Sequence, residues 1–328
     1  MLRTEIAELQ DNGKMFEIAQ KSTYNLKMST EETEAAALCD AWVKEVAEKG
    51  DPSHEIAAFV KRTVNEEIYD APDELLDLLS TRGSIGEFDD FEVMGTPKNT
   101  LVAYEAAKGG TVNRSWIDFG AIAPIYRNRQ VEMDLSYVDT RKNGFKSVAQ
   151  LTTYATEALQ NALFYDVFTM IDNAIVGGDQ LITESSTVPT MTSMDLLSLY
   201  LTDRDPTGSV VVCLTKYAAA IRRMPGFAEY MSDAMKTDFN RYGLAKFYDG
   251  VQVASISGAK KLGSGQLLIP DKKIFGVAGK VGTLDMKGEV HVYEDMNNQD
   301  EVIHISVKDF TYGFAITDID KVAKIVLA

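Results

Sequence analysis

The sequence predicts an α+β fold in which one long helix carries layers of strand, and three observations support it. Short amphipathic helices with capping signals fill residues 1–90. Apolar residues then recur at spacings of three and four from Ser147 until Gly177-Gly178. Beyond that point strand-like runs dominate, separated by turn residues.

The N-terminal helices have clear boundaries. Ser29-Thr30-Glu31-Glu32 has the spacing of a capping box, with Ser29 as N-cap and Glu32 reaching back. Leu38, Trp42, Val43 and Val46 follow on one face, and Gly50 closes the element. Pro52 suits the first turn of the next helix, whose stripe is Ile56, Phe59, Val60, Val64 and Ile68. A third short helix is expected over Asp73 to Leu79, before Arg82-Gly83. None is long or apolar enough to form a core alone, so residues 1–90 read as a helical arm that packs on another surface.

From Phe91 the texture changes. Thr100 to Tyr104, Thr111 to Ile117 and Gln130 to Val138 alternate and hold β-branched or aromatic residues, with Gly109-Gly110 as a turn. The excursion contains Arg114, Trp116, Arg127, Asn128 and Arg129, and a two-stranded ribbon of this polarity needs a partner surface. Ser147-Val148-Ala149-Gln150 has capping-box spacing and opens the long helix. At ~1.5 Å per residue its roughly 27 residues span roughly 40 Å. A Ser/Thr-rich connection over 179–208 holds one helix near Met194 to Leu201. Val210 to Leu214 is a buried-strand candidate, followed by helices over Lys216 to Arg223 and Phe227 to Met235. Further strands are expected over Phe247 to Ser255, Lys273 to Val277, Gly288 to Tyr293, Val302 to Val307, Thr311 to Thr317 and Val322 to Leu327.

Composition narrows the function. The 328 residues carry 33 Lys+Arg and 49 Asp+Glu, a net charge of −16, which argues against a dedicated nucleic-acid binder. Residues 1–90 hold 21 acids and 9 bases, a net of −12, and the remaining residues only −4. No apolar run approaches the ~18 to 20 residues that cross a bilayer, and the N-terminus lacks the apolar core of a secretory signal. Cys39 and Cys213 are read as reduced, buried thiols. His54, His291 and His304 have no Ser or Cys neighbour in a nucleophile pattern, and the last two sit in strand-like runs as structural residues. Gly263-Ser264-Gly265 is a turn rather than a phosphate loop, and no Gly-Lys-Ser/Thr motif is present. Asp233, Asp238 and Asp249 lack Ca²⁺-loop spacing, and Asp203 and Asp205 suit a turn. A chain this long without a site signature leans towards structure or assembly, with no cofactor.

From Phe91 to Ala328 the order of elements resembles the major capsid proteins of tailed bacteriophages, the Hong Kong 97-type fold. Four stretches carry the resemblance: the polar excursion from Thr100 to Val138 followed at once by the long helix; VVVCLTKYAAAIRRMPGF; DAMKTDFNRYGLAKFYDGVQVASIS; and DFTYGFAITDIDKVAKIVLA. In the third, Gly243-Leu244, Tyr248, Gly250, Val251 and Val253 match the family habit, although the Pro that many relatives place at the start of that strand is missing.

The resemblance implies a structural protein, not an enzyme, with an N-terminal arm, an extended loop (E-loop), a spine helix, a peripheral domain and an axial domain. The corresponding spans are 1–90 for the arm, 91–144 for the E-loop, 145–208 for the spine helix and first peripheral part, 209–282 for the axial domain and 283–328 for the C-terminal peripheral strands. It implies self-assembly into hexamers and pentamers of an icosahedral virion capsid, put together in the host cytoplasm around double-stranded DNA held without sequence reading. Portal, scaffolding and cement proteins are the partners the family implies, and no membrane is involved. Assembly contacts are expected at Lys108, Arg114, Trp116, Arg127 and Arg129 of the E-loop, and at Arg222, Arg223, Arg241 and Tyr242 of the axial domain. Some relatives crosslink through an E-loop lysine; Lys98 and Lys108 lie nearby, but no partner residue is identifiable. Two alternatives stand beside this reading: an encapsulin-like compartment shell, and an α/β enzyme with an unrecognised site.

Overall fold

The computed structural model describes residues 4–48, 52–70, 74–89, 93–94, 121–122, 124–221, 223–224, 247–263, 265–297 and 301–328. The expected ribbon strands over Thr100 to Tyr104 and Thr111 to Ile117, and the helix over Phe227 to Met235, lie outside these residues.

Helices α1 (Thr4–Asp11) and α2 (Lys14–Tyr24) lead into α3 (Thr30–Glu48). The predicted capping box is formed: the Ser29 amide donates to Glu32 Oε2 at 2.8 Å, and the Glu32 amide to Ser29 Oγ at 3.2 Å. Pro52 stands just outside α4 (Ser53–Asn65) as its N-cap, not in its first turn, a position where its missing N–H costs nothing. A π-turn over Glu66–Asp70, then α5 (Glu74–Leu79) and strand β1 (Ser80–Ile85) complete the N-terminal part.

A short pair, β2 (Val93–Met94) and β3 (Ala121–Ile122), precedes the long strand β4 (Ile125–Ser136) and α6 (Tyr137–Asn143). Then comes α7 (Phe145–Ala174), whose 30 residues at ~1.5 Å each make a rod of about 45 Å. The capping box expected at Ser147 does not form. The helix starts two residues earlier, and its cap comes from α3: the Phe145 amide donates to Asp40 Oδ1 at 3.1 Å, while Ser147 Oγ donates to the Asp139 carbonyl. Gly144 makes this possible, because its φ of 55° is left-handed and a Cβ there would meet Asp40 Oδ1 at 1.8 Å.

The remaining elements are β5 (Leu181–Thr183), α8 (Met191–Thr202), β6 (Ser209–Leu214), α9 (Thr215–Ile221), β7 (Phe247–Tyr248), β8 (Val251–Ile256), β9 (Lys273–Ala278), β10 (Gly282–Lys287), β11 (His291–Asn297), β12 (Val302–Ile316) and β13 (Val322–Val326). β7 and β8 are joined by Asp249-Gly250, both at positive φ, the primed two-residue turn that matches strand twist. The two strands expected over Val302 to Thr317 are one strand, β12, whose pairing with β4 shifts between Val307 and Phe310 where Asp309 takes a φ of 64°.

The strands form two main sheets. The first runs β1-β10-β12-β11, with β4 pairing antiparallel along the other side of β12. The second runs β5-β13-β9-β6-β8-β7. β13 does not join the other C-terminal strands; it inserts between β5 and β9 of the sheet formed mainly by 209–282. The reason is its composition: Val322 to Ile325 are buried without interruption, which suits a strand covered on both faces.

The core is continuous, and α7 is its axis. Val148, Leu159, Val167 and Ile171 of α7 are fully buried. The stripe of α4 is equally buried, and Phe59 stacks between Trp42 (5.6 Å) and Phe145 (6.1 Å, edge-on). So the helices of residues 1–90 do pack on another surface, and that surface includes α7 of their own chain. Because α7 is apolar around much of its circumference, it needs cover on more than one side.

Candidate functional site

Two partly buried charge clusters fix both sheets and the returning strand of the excursion to α7. In the first, Arg129 of β4 grips Asp166 of α7 with a two-pronged bond: Nη2 lies 2.6 Å from Oδ1 and Nε 3.0 Å from Oδ2. Tyr312 of β12 donates its hydroxyl to Asp166 Oδ2 at 2.5 Å. The hydrogen bond to Asp166 raises Arg129 further above its usual range, and burial, reinforced by Asp166, pushes the Tyr312 hydroxyl up.

In the second cluster, Asp172 accepts from Lys273 Nζ of β9 at 2.6 Å and from Lys324 Nζ of β13 at 2.9 Å. Lys324 also donates to the Asp172 carbonyl at 2.8 Å. Burial works against the Asp172 carboxylate, but the two ammonium groups outweigh it and hold the carboxyl below its usual range. Asp172 lies in the last turn of α7, where cations also meet the negative end of the helix dipole. The first cluster thus locks the first sheet to α7 and the second locks the second sheet, so one rigid helix sets the relation between them.

The sequence-predicted assembly residues divide unevenly. Arg127 is exposed on β4, opposite Tyr312 in register. Arg129 pairs with Asp166 within the same chain, and its side chain stays 38% exposed. Arg223 is exposed in the turn after α9. Lys108, Arg114, Trp116, Arg222, Arg241 and Tyr242, with Lys98, lie outside the described residues. Sequence reasoning missed Asp166, Asp172, Lys273 and Lys324. The available signal was charge inside apolar runs, an aspartate three residues after Leu163 and a lysine within VAKIVLA.

Other residues take structural places. His304 Nδ1 lies 2.6 Å from Asp134, and His54 Nδ1 lies 2.9 Å from Glu294. Cys39 and Cys213 are both buried, and burial pushes both thiols up to about 12. Asp205 Oδ1 accepts from the Thr207 and Gly208 amides, the turn chemistry expected of it. Among the described residues no helix is long and apolar enough to cross a membrane, and no group of three or more His, Cys, Asp or Glu is placed to hold a metal.

No protein-family model matches the chain, and no curated protein matches it. Solved structures do. The capsid of an empty GTA particle is 11% identical with a TM-score of 0.55, over 80% of this chain and 92% of the other. The capsid of the cyanophage P-SCSP1u is 11% identical with a TM-score of 0.52, over 80% and 94%. A structure from Mycobacterium phage Che8 is 13% identical with a TM-score of 0.53, over 72% and 83%. At such identities the likeness is one of backbone architecture, and the architecture shared along most of both chains is the Hong Kong 97-type fold of tailed-phage major capsid proteins.

Proposed function

We propose that this chain is the structural subunit of a closed icosahedral capsid that encloses the double-stranded DNA genome of a tailed phage. The observation that carries the reading is the near full-length likeness to two solved capsids, each matched over more than nine tenths of its own chain. The geometry supports it: the organising residues are apolar packing and internal charge locks, which give stiffness rather than a reaction centre. Hexamers and pentamers of the chain form the shell, a portal occupies one vertex, and scaffolding or cement proteins assist. Assembly takes place in the host cytoplasm and the product is the virion head. DNA is enclosed without sequence reading, in keeping with a net charge of −16 that does not favour phosphate binding.

Negative-stain microscopy of the overexpressed chain tests the proposal. Closed shells or capsomer rings are expected. A dispersed monomer at high concentration refutes it, and a monomer with measurable turnover of a substrate shifts the reading to an enzyme.

A further inference from the structure

A cleft of about 500 Å³ lies where the N-terminal helices meet the first sheet. One wall is α4 with the π-turn that ends it, and presents Lys61, Arg62, Asn65 and Tyr69. The other wall is Ser84 of β1 and the Gly288-Glu289 turn between β10 and β11. Both walls are fixed by the fold. Asn65 clasps Val290: its Oδ1 accepts from the Val290 amide at 3.0 Å and its Nδ2 donates to the Val290 carbonyl at 3.4 Å. The Gly288 amide donates to the Ile85 carbonyl at 3.0 Å, and the Tyr69 ring is set edge-on against Phe310 at 6.2 Å. A π-turn such as Glu66–Asp70 is rare and concentrates at functional sites.

Two features of the lining are unfinished. The Tyr69 hydroxyl is buried and has no hydrogen-bond partner among the described residues. Burial, with the charge of Glu289 adding to it, pushes this hydroxyl up, so it stays a neutral donor. A buried donor left without an acceptor is costly. Lys61 and Glu289 pair only loosely: Nζ lies 3.8 Å from Oε2, and the side chains are 39% and 73% exposed. A pair so exposed is weak and gives way easily. The other charged residues of the lining are engaged, Arg62 with Asp11 and Glu66 elsewhere in the chain.

We infer that this cleft is a binding site for a small zwitterion of the amino-acid class, whose carboxylate accepts from the Tyr69 hydroxyl and Lys61 and whose ammonium meets Glu289. Inserted between Lys61 and Glu289, such a molecule replaces one loose ion pair by two closer ones and gives Tyr69 its acceptor. The surroundings select a ligand without net charge. Residues 1–90 carry 21 acids and 9 bases, a field that repels a free anion, while a free cation leaves Lys61 and Tyr69 unanswered. Because the walls belong to α4 and to the first sheet, an occupied site ties the two together.

Ligand-observed saturation-transfer NMR on the full chain tests this with L-alanine, and with acetate and ethylammonium as its two halves. L-alanine should bind, and each half should bind about tenfold more weakly or worse. Lys61→Gln and Glu289→Gln, both at well-exposed side chains, should each weaken L-alanine binding about tenfold. Tyr69→Phe should weaken it too, yet melt no lower than wild type, since it deletes a hydroxyl that has no partner. No transfer to L-alanine overturns the inference. Acetate binding as well as L-alanine reduces the cleft to a simple anion site and overturns it, as does L-alanine binding that none of the three variants weakens. A clearly lower melting temperature for Tyr69→Phe gives the hydroxyl a partner within the fold and also counts against it. The measurement needs no assembled shell, so its outcome is independent of the reading above.

Discussion

Replacing Asp166 by Ala removes the acceptor shared by Arg129 and Tyr312 at the centre of the first lock. The cost follows from what is left behind. Tyr312 is 1% exposed, so its hydroxyl loses its acceptor where water cannot replace it, which costs about 1 to 3 kcal/mol. The Arg129 side chain is 38% exposed and rehydrates in part, so its share stays near the ~1.5 kcal/mol of a charged hydrogen bond, below the ~3 to 5 kcal/mol of a fully buried pair. Together the loss is about 3 to 4 kcal/mol, a large fraction of the ~5 to 15 kcal/mol that holds a typical domain. Urea unfolding of the disassembled chain, followed by circular dichroism and by the fluorescence of the buried Trp42, measures it. Adding Tyr312→Phe to the Asp166→Ala variant should restore about 1 kcal/mol or more, because it deletes the orphaned hydroxyl. A single variant within about 1 kcal/mol of wild type, or a double variant no more stable than the single, refutes the reasoning.

Three further outcomes are expected. Phe59→Ala should cost about 3 to 5 kcal/mol in thermal or urea unfolding, since Phe59 is fully buried between Trp42 and Phe145; a small loss would mean that the N-terminal helices are not part of this core. Asp172 has a folded carboxyl held below its unfolded value of ~3.9, so the folded state binds fewer protons. Its contribution is complete above about pH 5 and is lost as pH falls through the folded value; Asp172→Asn should flatten that acid limb of the unfolding free energy, and an unaltered limb contradicts the lock. Neither cysteine should react with a thiol reagent in the native chain at pH 8, and both should react in urea; a native thiol that reacts would contradict the burial of Cys39 and Cys213.

What the sequence made legible is local. The Ser29–Glu32 box, the stripe of α4, the long helix and the buried strand β6 each depend on residues close together in the chain, and each is present. What it hid depends on distant partners. The cap of α7 comes from Asp40, more than 100 residues earlier, so the nearby Ser147 pattern misled. β1, β5 and β10 are short or polar (STRGSI, LIT, GTLDMK) and become strands only because a neighbour offers a ladder. Lys308-Asp309 looked like a break and is a bulge inside β12. The pairing of Arg129 was hidden because Asp166 and Tyr312 come from two other elements. The architecture was visible through the order of its elements, while the locks that hold it were not.

The position of β13 also has a consequence for timing. The second sheet draws its strands from 181–183, 209–278 and 322–326, and the last of these lies between the first and the rest. A nascent chain that has exposed only residues 1–300 leaves β5 without its strand neighbour, the edge of β9 open and Asp172 without Lys324. Synthesis therefore acts as a clock: the second sheet can close, and Asp172 can gain its second lysine, only after residues 322–326 have emerged.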